Sequence, residues 1–343
     1  MKDTTALPAA HQFVERGTGR ICTEPLFRDR MVRTLYGPVR EQAPRLFALL
    51  TSARASALLA FLHYDSPLAC RVADPAQWMQ NRLGADPGEV LGPIHALDNR
   101  RKIFERKIRY WDCRPMDPDP AVVTACADAR VLTGSFAHGH PLHIKDKFFT
   151  RKELLGRDRA QWLKAFQGGD YALFRLTPDK YHFNHLPVTG RVCDSYEIHG
   201  RFHACNPGAV VRSVTPFSKN RRVVTILDTD TPENGSKVGL VAMVEIVALM
   251  IGDIQQCYSA RGYDAPRTPT PGMVLEKGAP KSLFRPGSST TLLIFQKNRI
   301  RFDDDLVTNQ CRTDVISRFT RGFCAPLVET DIQVRQSLAR RIP

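Results

Sequence analysis

The sequence predicts an α+β protein in which an N-terminal helical accessory domain precedes a mainly β domain. Four apolar residues recur at every fourth position from Phe27 to Val39, which places them on one face of a helix. After residue 120, short apolar and β-branched runs alternate with Gly, Pro, Asn and Asp, which is typical of strands joined by turns. Between the two patterns, residues 114–120 (RPMDPDP) contain three prolines, which end helices and indicate a linker.

These patterns divide the 343-residue chain into three parts. Residues 1–24 show no sustained hydrophobic period, so we expect a flexible arm. Residues 25–115 form the predicted helical accessory domain, and residues 116–343 form the mainly β domain. The sequence contains no internal repeat.

Three segments of the accessory domain are predicted to be helical. The first begins at Pro25, because proline is well suited to the first turn of a helix. Residues 46–62 continue with strong helix formers. Residues 98–111 are the third segment, with Asp98 or Asn99 as the N-cap.

The mainly β domain contains six candidate strands and one candidate helix, at residues 157–166. Residues 258–289 form a long stretch rich in Pro and Gly that ends on two serines. Loops of this length inside a compact domain are usually functional or disordered. The candidate strands are ARVLTGSF, RVCDSYEI, AVVRSV, RRVVTILDT, VGLVAMVEIVALMI and STTLLIFQ.

The chain carries an excess of positive charge. It has 49 Lys and Arg against 35 Asp and Glu, a formal net charge of +14, which favours an anionic partner. Six Lys or Arg lie among residues 100–109, so this helix either lies on an anionic membrane surface or packs on the β domain with a solvated basic face. We expect no nucleic-acid partner, because no reader motif accompanies the charge.

Cysteine usage and hydropathy indicate a cytoplasmic protein. The nine cysteines never form a C-x-x-C pair and no signal peptide is recognisable, so we expect free thiols in a reducing compartment. The longest apolar stretch, residues 238–251, is interrupted by Gly239 and Glu245 and is shorter than a membrane span. We therefore expect no transmembrane segment, and any attachment to a membrane would be peripheral.

Three stretches contain residue types that support acid–base and nucleophilic chemistry. The segment YHFNHLPVTGRV contains His182 and His185, whose imidazoles titrate near neutral pH, although surface or capping roles explain them equally well. Asp128 enters one candidate strand, and Ser288 and Ser289 precede another. In this chain order an Asp-oriented imidazole can activate a serine hydroxyl. The alternative is that the serines only form a turn.

The ordered motifs resemble the pyruvoyl-dependent phosphatidylserine decarboxylase family over roughly residues 120–296. The segment YHFNHLPVTGRV is similar to the family's Tyr-His-x-x-His-x-Pro-x-x-Gly signature, the most specific of six blocks. The segment EKGAPKSLFRPGSSTTLLIF resembles the family's self-cleavage site. The other four blocks are VVTACADARVLTG, HIKDKFFTRKELLG, NPGAV and KNRRVVTILDT.

By position, the resemblance implies roles for particular residues. Ser289 matches the self-cleaving serine, although counting from the preceding glycine would make Ser288 the nucleophile. Asp128 matches the family's orienting aspartate and His185 its maturation base. His182 matches the histidine that the family uses in decarboxylation.

The chain departs from the family's pattern at four positions. Cys126 and Ala129 replace a proline and a glycine of the aspartate motif, and Arg221 replaces a glutamate. Ser288 stands where the family has glycine, so a side chain at the scissile carbonyl restricts the backbone strain that cleavage needs. The positions expected to carry maturation are all retained.

The resemblance also implies the cofactor. Autocatalytic cleavage of a zymogen would separate chain 1–288 from chain 289–343, which stay together as partners, and would convert Ser289 into a pyruvoyl group. This covalent ketone serves as the electron sink for decarboxylation. Neither pyridoxal phosphate nor a metal is then expected.

The implied activity is that of a carboxy-lyase. The expected reaction converts phosphatidylserine to phosphatidylethanolamine and carbon dioxide, a step of phospholipid biosynthesis. The alternative is a soluble decarboxylase of a free aromatic amino acid such as tryptophan, because similar relatives with an added helical domain include such enzymes. Two other classes are an uncleaved Ser-His-Asp hydrolase, which lacks a G-x-S-x-G elbow here, and a non-catalytic binding protein.

A separate cluster of histidines could ligate zinc. His138, His140 and His143 lie in the segment HGHPLH. No acidic or thiol residue at ligand spacing completes the set, so we expect these histidines to line a pocket or end a strand instead.

Overall fold

The computed structural model describes residues 9–66, 71–137, 148–249, 253–287 and 289–343. It confirms the α+β architecture, because helices dominate before residue 115 and strands dominate after residue 120. The earlier helices are α1 (Asp29–Thr34), α2 (Arg40–Gln42), α3 (Pro44–Leu50), α4 (Ala53–Ala60), α5 (Pro75–Trp78), α6 (Arg100–Phe104) and α7 (Tyr110–Cys113). Short π-helical turns follow α1, α4 and α5 at Leu35–Val39, Phe61–Asp65 and Met79–Leu83, and 3-10 turns lie at Pro87–Glu89 and Ile94–Ala96.

The two longer helices predicted from the sequence are interrupted. Residues 46–62 are helical except at a break where Ser52 caps α4. Residues 98–111 contain α6 and the start of α7, separated by a non-helical turn. Asn99 is the N-cap of α6, because its side chain accepts a hydrogen bond of 2.9 Å from the backbone N–H of Lys102.

In the described part of the chain, the remaining elements form three β-sheets and six helices. The strands are β1 (Gln12–Glu15), β2 (Ile21–Thr23), β3 (Val122–Thr124), β4 (Ala129–Ser135), β5 (Asp170–Leu176), β6 (Phe183–His185), β7 (Gly190–Ile198), β8 (Arg222–Asp228), β9 (Leu240–Val247), β10 (Ile254–Gln256), β11 (Val274–Leu275), β12 (Pro280–Phe284), β13 (Ser289–Phe295), β14 (Ile300–Phe302), β15 (Thr330–Ile332) and β16 (Ser337–Arg341). The helices are α8 (Arg151–Leu155), α9 (Ala160–Ala165), α10 (Pro207–Arg212), α11 (Pro216–Lys219), α12 (Asp304–Gln310) and α13 (Arg318–Phe323).

The largest sheet has ten strands in the order β11-β7-β8-β9-β13-β5-β4-β15-β1-β2. Strand β13 lies near its centre and pairs antiparallel with both β9 and β5 along its whole length. Every residue of β13 is buried. The strand that the sequence predicts after the serine pair is therefore confirmed, and it is held on both edges.

The two faces of the large sheet carry separate apolar cores. Along β13, Leu293 and Phe295 pack into one core, whereas Leu292 and Ile294 pack into the other. This alternation follows from the two-residue period of a strand. Ser289 shares the face of Leu293, because the two residues are an even number of positions apart.

A smaller sheet, β10-β12-β6, covers the Leu293 face of β13. The contact is direct, because Thr291 Oγ1 donates a hydrogen bond of 2.7 Å to Asn184 Oδ1 on β6. The third sheet, β14-β16-β3, brings the end of the chain next to the strand that follows the 114–120 linker. Strand β6 thus brings the His182–His185 segment over the face that carries Ser289.

The predicted flexible arm is wrong for residues 9–24. Strand β1 joins the large sheet by parallel pairing with β15, and β2 forms its edge. Arg175 donates hydrogen bonds to both Glu24 and Glu329, all three side chains being buried, and His11 contacts Glu329 at 2.8 Å. These charge-assisted contacts hold the segment against the large sheet. The first helix begins at Asp29 rather than at Pro25.

Two further findings concern helices. The segment AVVRSV, predicted as a strand, lies mostly in helix α10, because Asn206 caps the helix and Pro207 occupies its first turn.

Within the described residues, no single helix is long and apolar enough to cross a membrane, although Pro44–Leu50 and Ala53–Asp65 together have the required length and hydropathy as one bent pair.

Candidate active site

Ser289 begins β13 at a buried position. Its register partners are Leu176 on β5 and Val247 on β9. Its hydroxyl makes no hydrogen bond within the described part of the chain, although the side chain is fully buried. Buried polar groups are nearly always paired, so this hydroxyl is a candidate functional group, although the buried Thr225 and Thr290 hydroxyls are also unpaired among the described residues. Ser288, the alternative nucleophile, lies outside the described residues.

The backbone just before the serine pair is held in an unusual conformation. Gly287 has φ +144°, a value that side-chain-bearing residues rarely adopt. The backbone N–H of Phe284 donates to the His182 carbonyl at 3.1 Å, and the N–H of Arg285 donates to the Asp253 carbonyl at 3.1 Å. The segment leading to the predicted cleavage site is thus tied to the histidine segment.

His182 is fully buried, and neither ring nitrogen makes a hydrogen bond of normal geometry among the described residues. Its ring stacks on Phe104 of α6, with centroids 3.6 Å apart. Burial, reinforced by the nearby Arg106 guanidinium, lowers the pKa of His182 to about 3. The imidazole is therefore neutral at pH 7 and has a free nitrogen that can accept a proton.

His185 is also buried but is fully hydrogen-bonded. Its Nδ1 lies 2.9 Å from the Gly278 carbonyl, and its Nε2 lies 2.9 Å from the Tyr181 hydroxyl. A carbonyl only accepts, so Nδ1 carries the proton and Nε2 accepts from Tyr181. Burial lowers the pKa of His185 to about 4, so this ring is neutral as well.

Asp128 does not bind His185 directly, which corrects the simple prediction of an Asp-oriented imidazole. Its carboxylate accepts hydrogen bonds from Arg114 at 3.2 and 2.8 Å and from the backbone N–H of Val334 at 2.8 Å. Burial would raise the pKa of Asp128, but the Arg114 guanidinium outweighs it and holds the pKa below its ordinary value. The planar guanidinium matches a carboxylate better than a single imidazole N–H does.

The two histidines lie in different surroundings. Asn184 faces β13 through its bond to Thr291, so its strand neighbour His185 faces the opposite side, where Tyr110 packs against it at 4.7 Å. His182 immediately precedes β6, and its ring stacks on Phe104, whereas the His185 ring packs against Tyr110. The structure therefore gives the two imidazoles separate surroundings, and only the His182 ring has no hydrogen bond of normal geometry to either nitrogen among the described residues.

A buried polar network lies beside the serine, and the sequence analysis missed it. Glu245 is the register partner of Thr291, two residues from Ser289. Its carboxylate forms an ion pair with Lys281 at 2.8 Å, both side chains being fully buried, and it also accepts from the Ser282 hydroxyl. The sequence signal for this network is Glu245 itself, a charged residue inside the longest apolar run.

Among the residues that the structure describes, no group of metal ligands includes a neighbour of Ser289. The group of described residues that could hold a metal ion is His11, Glu24 and Glu329, in the N-terminal part of the large sheet. Arg175 already binds both of these carboxylates. The three histidines of HGHPLH, His138, His140 and His143, lie outside the described residues.

Comparison with known proteins gives a consistent result. The family model described as phosphatidylserine decarboxylase matches residues 101–318. Three similar curated proteins are called phosphatidylserine decarboxylase proenzyme. That of Bordetella petrii is 32% identical over 68% of this chain and 83% of its own length. That of Chlamydia trachomatis serovar L2 is 31% identical over 74% of this chain and 73% of its own length. That of Azotobacter vinelandii is 30% identical over 71% of this chain and 89% of its own length.

Proposed function

The chain belongs to the phosphatidylserine decarboxylase family and is a decarboxylase, and from this premise we propose that it is a self-processing enzyme that converts phosphatidylserine to phosphatidylethanolamine and carbon dioxide. The observation that carries the proposal is the buried hydroxyl of Ser289, which has no hydrogen bond among the described residues and lies two positions after Gly287, a glycine at positive φ. A turn-forming serine would be exposed and solvated, so this burial argues against a purely structural role.

Self-cleavage would use the chain's own residues. Ser289 Oγ attacks the carbonyl carbon of residue 288 and loses its proton to a base, so that the amide becomes an ester. Elimination then breaks the Ser289 Cβ–O bond and releases chain 1–288 with a carboxylate end. Water converts the remaining dehydroalanine to a pyruvoyl group with loss of ammonia. The fit of Ser289 to this role rests on its unpaired, buried hydroxyl.

His185 is the proposed maturation base because of its match to the family motif. Its ring is neutral, but it faces the side of β6 away from β13 and its Nε2 accepts from Tyr181, so proton transfer from Ser289 requires this segment to rearrange first. Asp128 is proposed to assist from a distance, because it fixes Arg114 and the backbone at Val334 on the side of β6 where His185 lies. The free nitrogens of His182 make it the proposed acid–base group for decarboxylation. The pyruvoyl group at residue 289 would supply the electron sink for that step.

The two cleaved chains are expected to stay together. Strand β13 is paired on both edges, and β15 lies within the same sheet. Chain 289–343 therefore contributes the central strand of the fold, and its separation would expose the two apolar cores. We propose that the partners are the two chains, the serine phospholipid and an anionic membrane surface contacted peripherally.

Intact-mass measurement tests this proposal. The purified protein should appear as chains 1–288 and 289–343, the smaller with 55 of the 343 residues and therefore about 6 kDa of the 38.6 kDa total. Ser289→Ala should remain one chain, whereas the control Ser288→Ala should still be cleaved. Carbon dioxide release from phosphatidylserine is then compared with release from free tryptophan. A single uncleaved chain with full activity would refute self-processing, and release from tryptophan alone would refute the lipid substrate.

A further inference from the structure

A cavity of about 530 Å³ lies between the helices before residue 105 and the segment that precedes His182. Its volume is in the range of small-molecule sites. Most of its lining residues precede residue 101, where the match to the family model begins. The aromatic side chains that line it are Phe27, Tyr64, Trp78 and Phe104.

The cavity is electropositive. Arg28, Arg82 and Arg100 line it, and none of them forms an ion pair with a carboxylate among the described residues. Asp179 is the acidic group of the lining, and Lys180 lies 3.9 Å from its carboxylate. Burial, with the charges of Arg100 and Arg28, lowers the pKa of His63 in the same wall to about 4, so His63 is neutral at pH 7. The arginines are therefore available to an anionic ligand.

The cavity adjoins the reaction centre without including it. Phe104, part of its wall, stacks on His182, and the neighbouring Glu105 accepts a hydrogen bond of 2.8 Å from Arg285 in the segment before the cleavage site. A second cavity of about 80 Å³ shares Phe27 and Arg28 with the first. It extends to Leu176, the register partner of Ser289.

The position of the arginines restricts the ligand. Decarboxylation breaks the bond to the substrate carboxylate, so that group must lie at residue 289. Residue 289 is absent from the lining of the larger cavity. An anion held by the arginines is therefore a second anionic group, which a free neutral amino acid such as tryptophan does not have.

We propose that Arg28, Arg82 and Arg100 bind the phosphodiester of a glycerophospholipid substrate, with the lipid's glycerol and first acyl carbons against the aromatic wall. This inference rests on the proposed lipid decarboxylase function and adds the residues that select its substrate. An exposed apolar side chain of the wall supports a lipid ligand, because Phe27 lines the cavity and is about half exposed. Such apolar exposure next to a cavity is typical of a ligand-entry surface.

The test compares two double variants of equal charge change. Arg28→Gln/Arg100→Gln removes two cavity arginines, and Arg45→Gln/Arg54→Gln removes two exposed arginines of α3 and α4. Cleavage into two chains is measured first and should be complete in both. KM for phosphatidylserine in uncharged detergent micelles should rise at least tenfold in the cavity variant, with kcat changed by less than about threefold, and should stay near wild type in the control.

Binding is measured separately by calorimetry with glycerophosphoserine, a soluble phosphodiester without acyl chains, on uncleaved Ser289→Ala protein. Loss of this binding in the Arg28→Gln/Arg100→Gln background supports the site. Equal KM values in the two double variants, or unchanged glycerophosphoserine binding, would overturn the inference while leaving self-cleavage intact. Failure of the wild type to cleave would instead overturn the proposed function.

Discussion

Replacing Lys281 with methionine leaves Glu245 as a buried carboxylate without its cation. Both side chains are fully buried and the Nζ–Oε2 distance is 2.8 Å. Removing one partner of such a pair typically costs about 3–5 kcal/mol of unfolding free energy. Ser282 still donates to Glu245, so we expect the lower end, about 3 kcal/mol. With a urea m-value of about 3 kcal/mol per M, the unfolding midpoint should fall by about 1 M.

The assay is urea unfolding in the Ser289→Ala background, which is expected to keep the protein as one chain. Lys297→Met, the same substitution at an exposed position, is the control and should change the unfolding free energy by less than about 0.5 kcal/mol. Glu245→Gln/Lys281→Met should recover at least half of the loss, because no unpaired buried charge remains. A Lys281→Met midpoint within error of the Lys297→Met midpoint would refute the importance of the pair.

The network also touches the strand that carries the cleavage site. Ser282 links Glu245 to Asn184, which in turn binds Thr291 two residues from Ser289. We therefore expect Lys281→Met, in the otherwise native chain, to slow self-cleavage as well as to destabilise the fold. The fraction of cleaved chain against time after synthesis, by mass, is the measurement, and wild-type kinetics in the destabilised variant would contradict this link.

Three more predictions concern the titratable groups. His185→Ala should block chain cleavage, as measured by mass. His182→Ala should still be cleaved but should lose about two to four orders of magnitude in carbon dioxide release per pyruvoyl group. The opposite pattern would exchange the roles of the two histidines. Asp128→Asn should weaken the Arg114 contact and slow cleavage more than Glu89→Gln, which removes only the outer partner of Arg114; equal cleavage rates would remove Asp128 from maturation. The third prediction is a pH dependence of stability. The pKa values of His182 and His185 are lowered to about 3 and about 4 in the folded protein. Between pH 4 and about 6.5 the unfolded state therefore binds more protons than the folded state, and the unfolding free energy must fall as the pH falls. In the Ser289→Ala background these two groups contribute about 2.7 kcal/mol per pH unit to the slope of the unfolding free energy, and His63 and His203, whose pKa values are also lowered to about 4, add to it. A flat profile from pH 6.5 to 4.5 would contradict the burial of neutral rings.

Features that depend on neighbouring residues were predictable from the sequence. The apolar run after the serine pair predicts the buried strand β13, and Asn99 before a helical pattern predicts the N-cap of α6. The ordered motifs predict the family and the candidate residues His182, His185 and Ser289. Each of these signals is contained within a few consecutive positions, where periodicity, capping preference and motif spacing apply.

Features that depend on distant partners required the tertiary structure. Strand β1 is only four residues long and exists because it pairs with β15, more than 300 positions away. The carboxylate of Asp128 binds Arg114 rather than a histidine. Glu245, on β9 of the large sheet, forms its ion pair with Lys281 on β12 of the smaller sheet. A buried charge is tolerated only where folding brings its counterion within hydrogen-bond distance, and nothing in the local sequence specifies which counterion that will be.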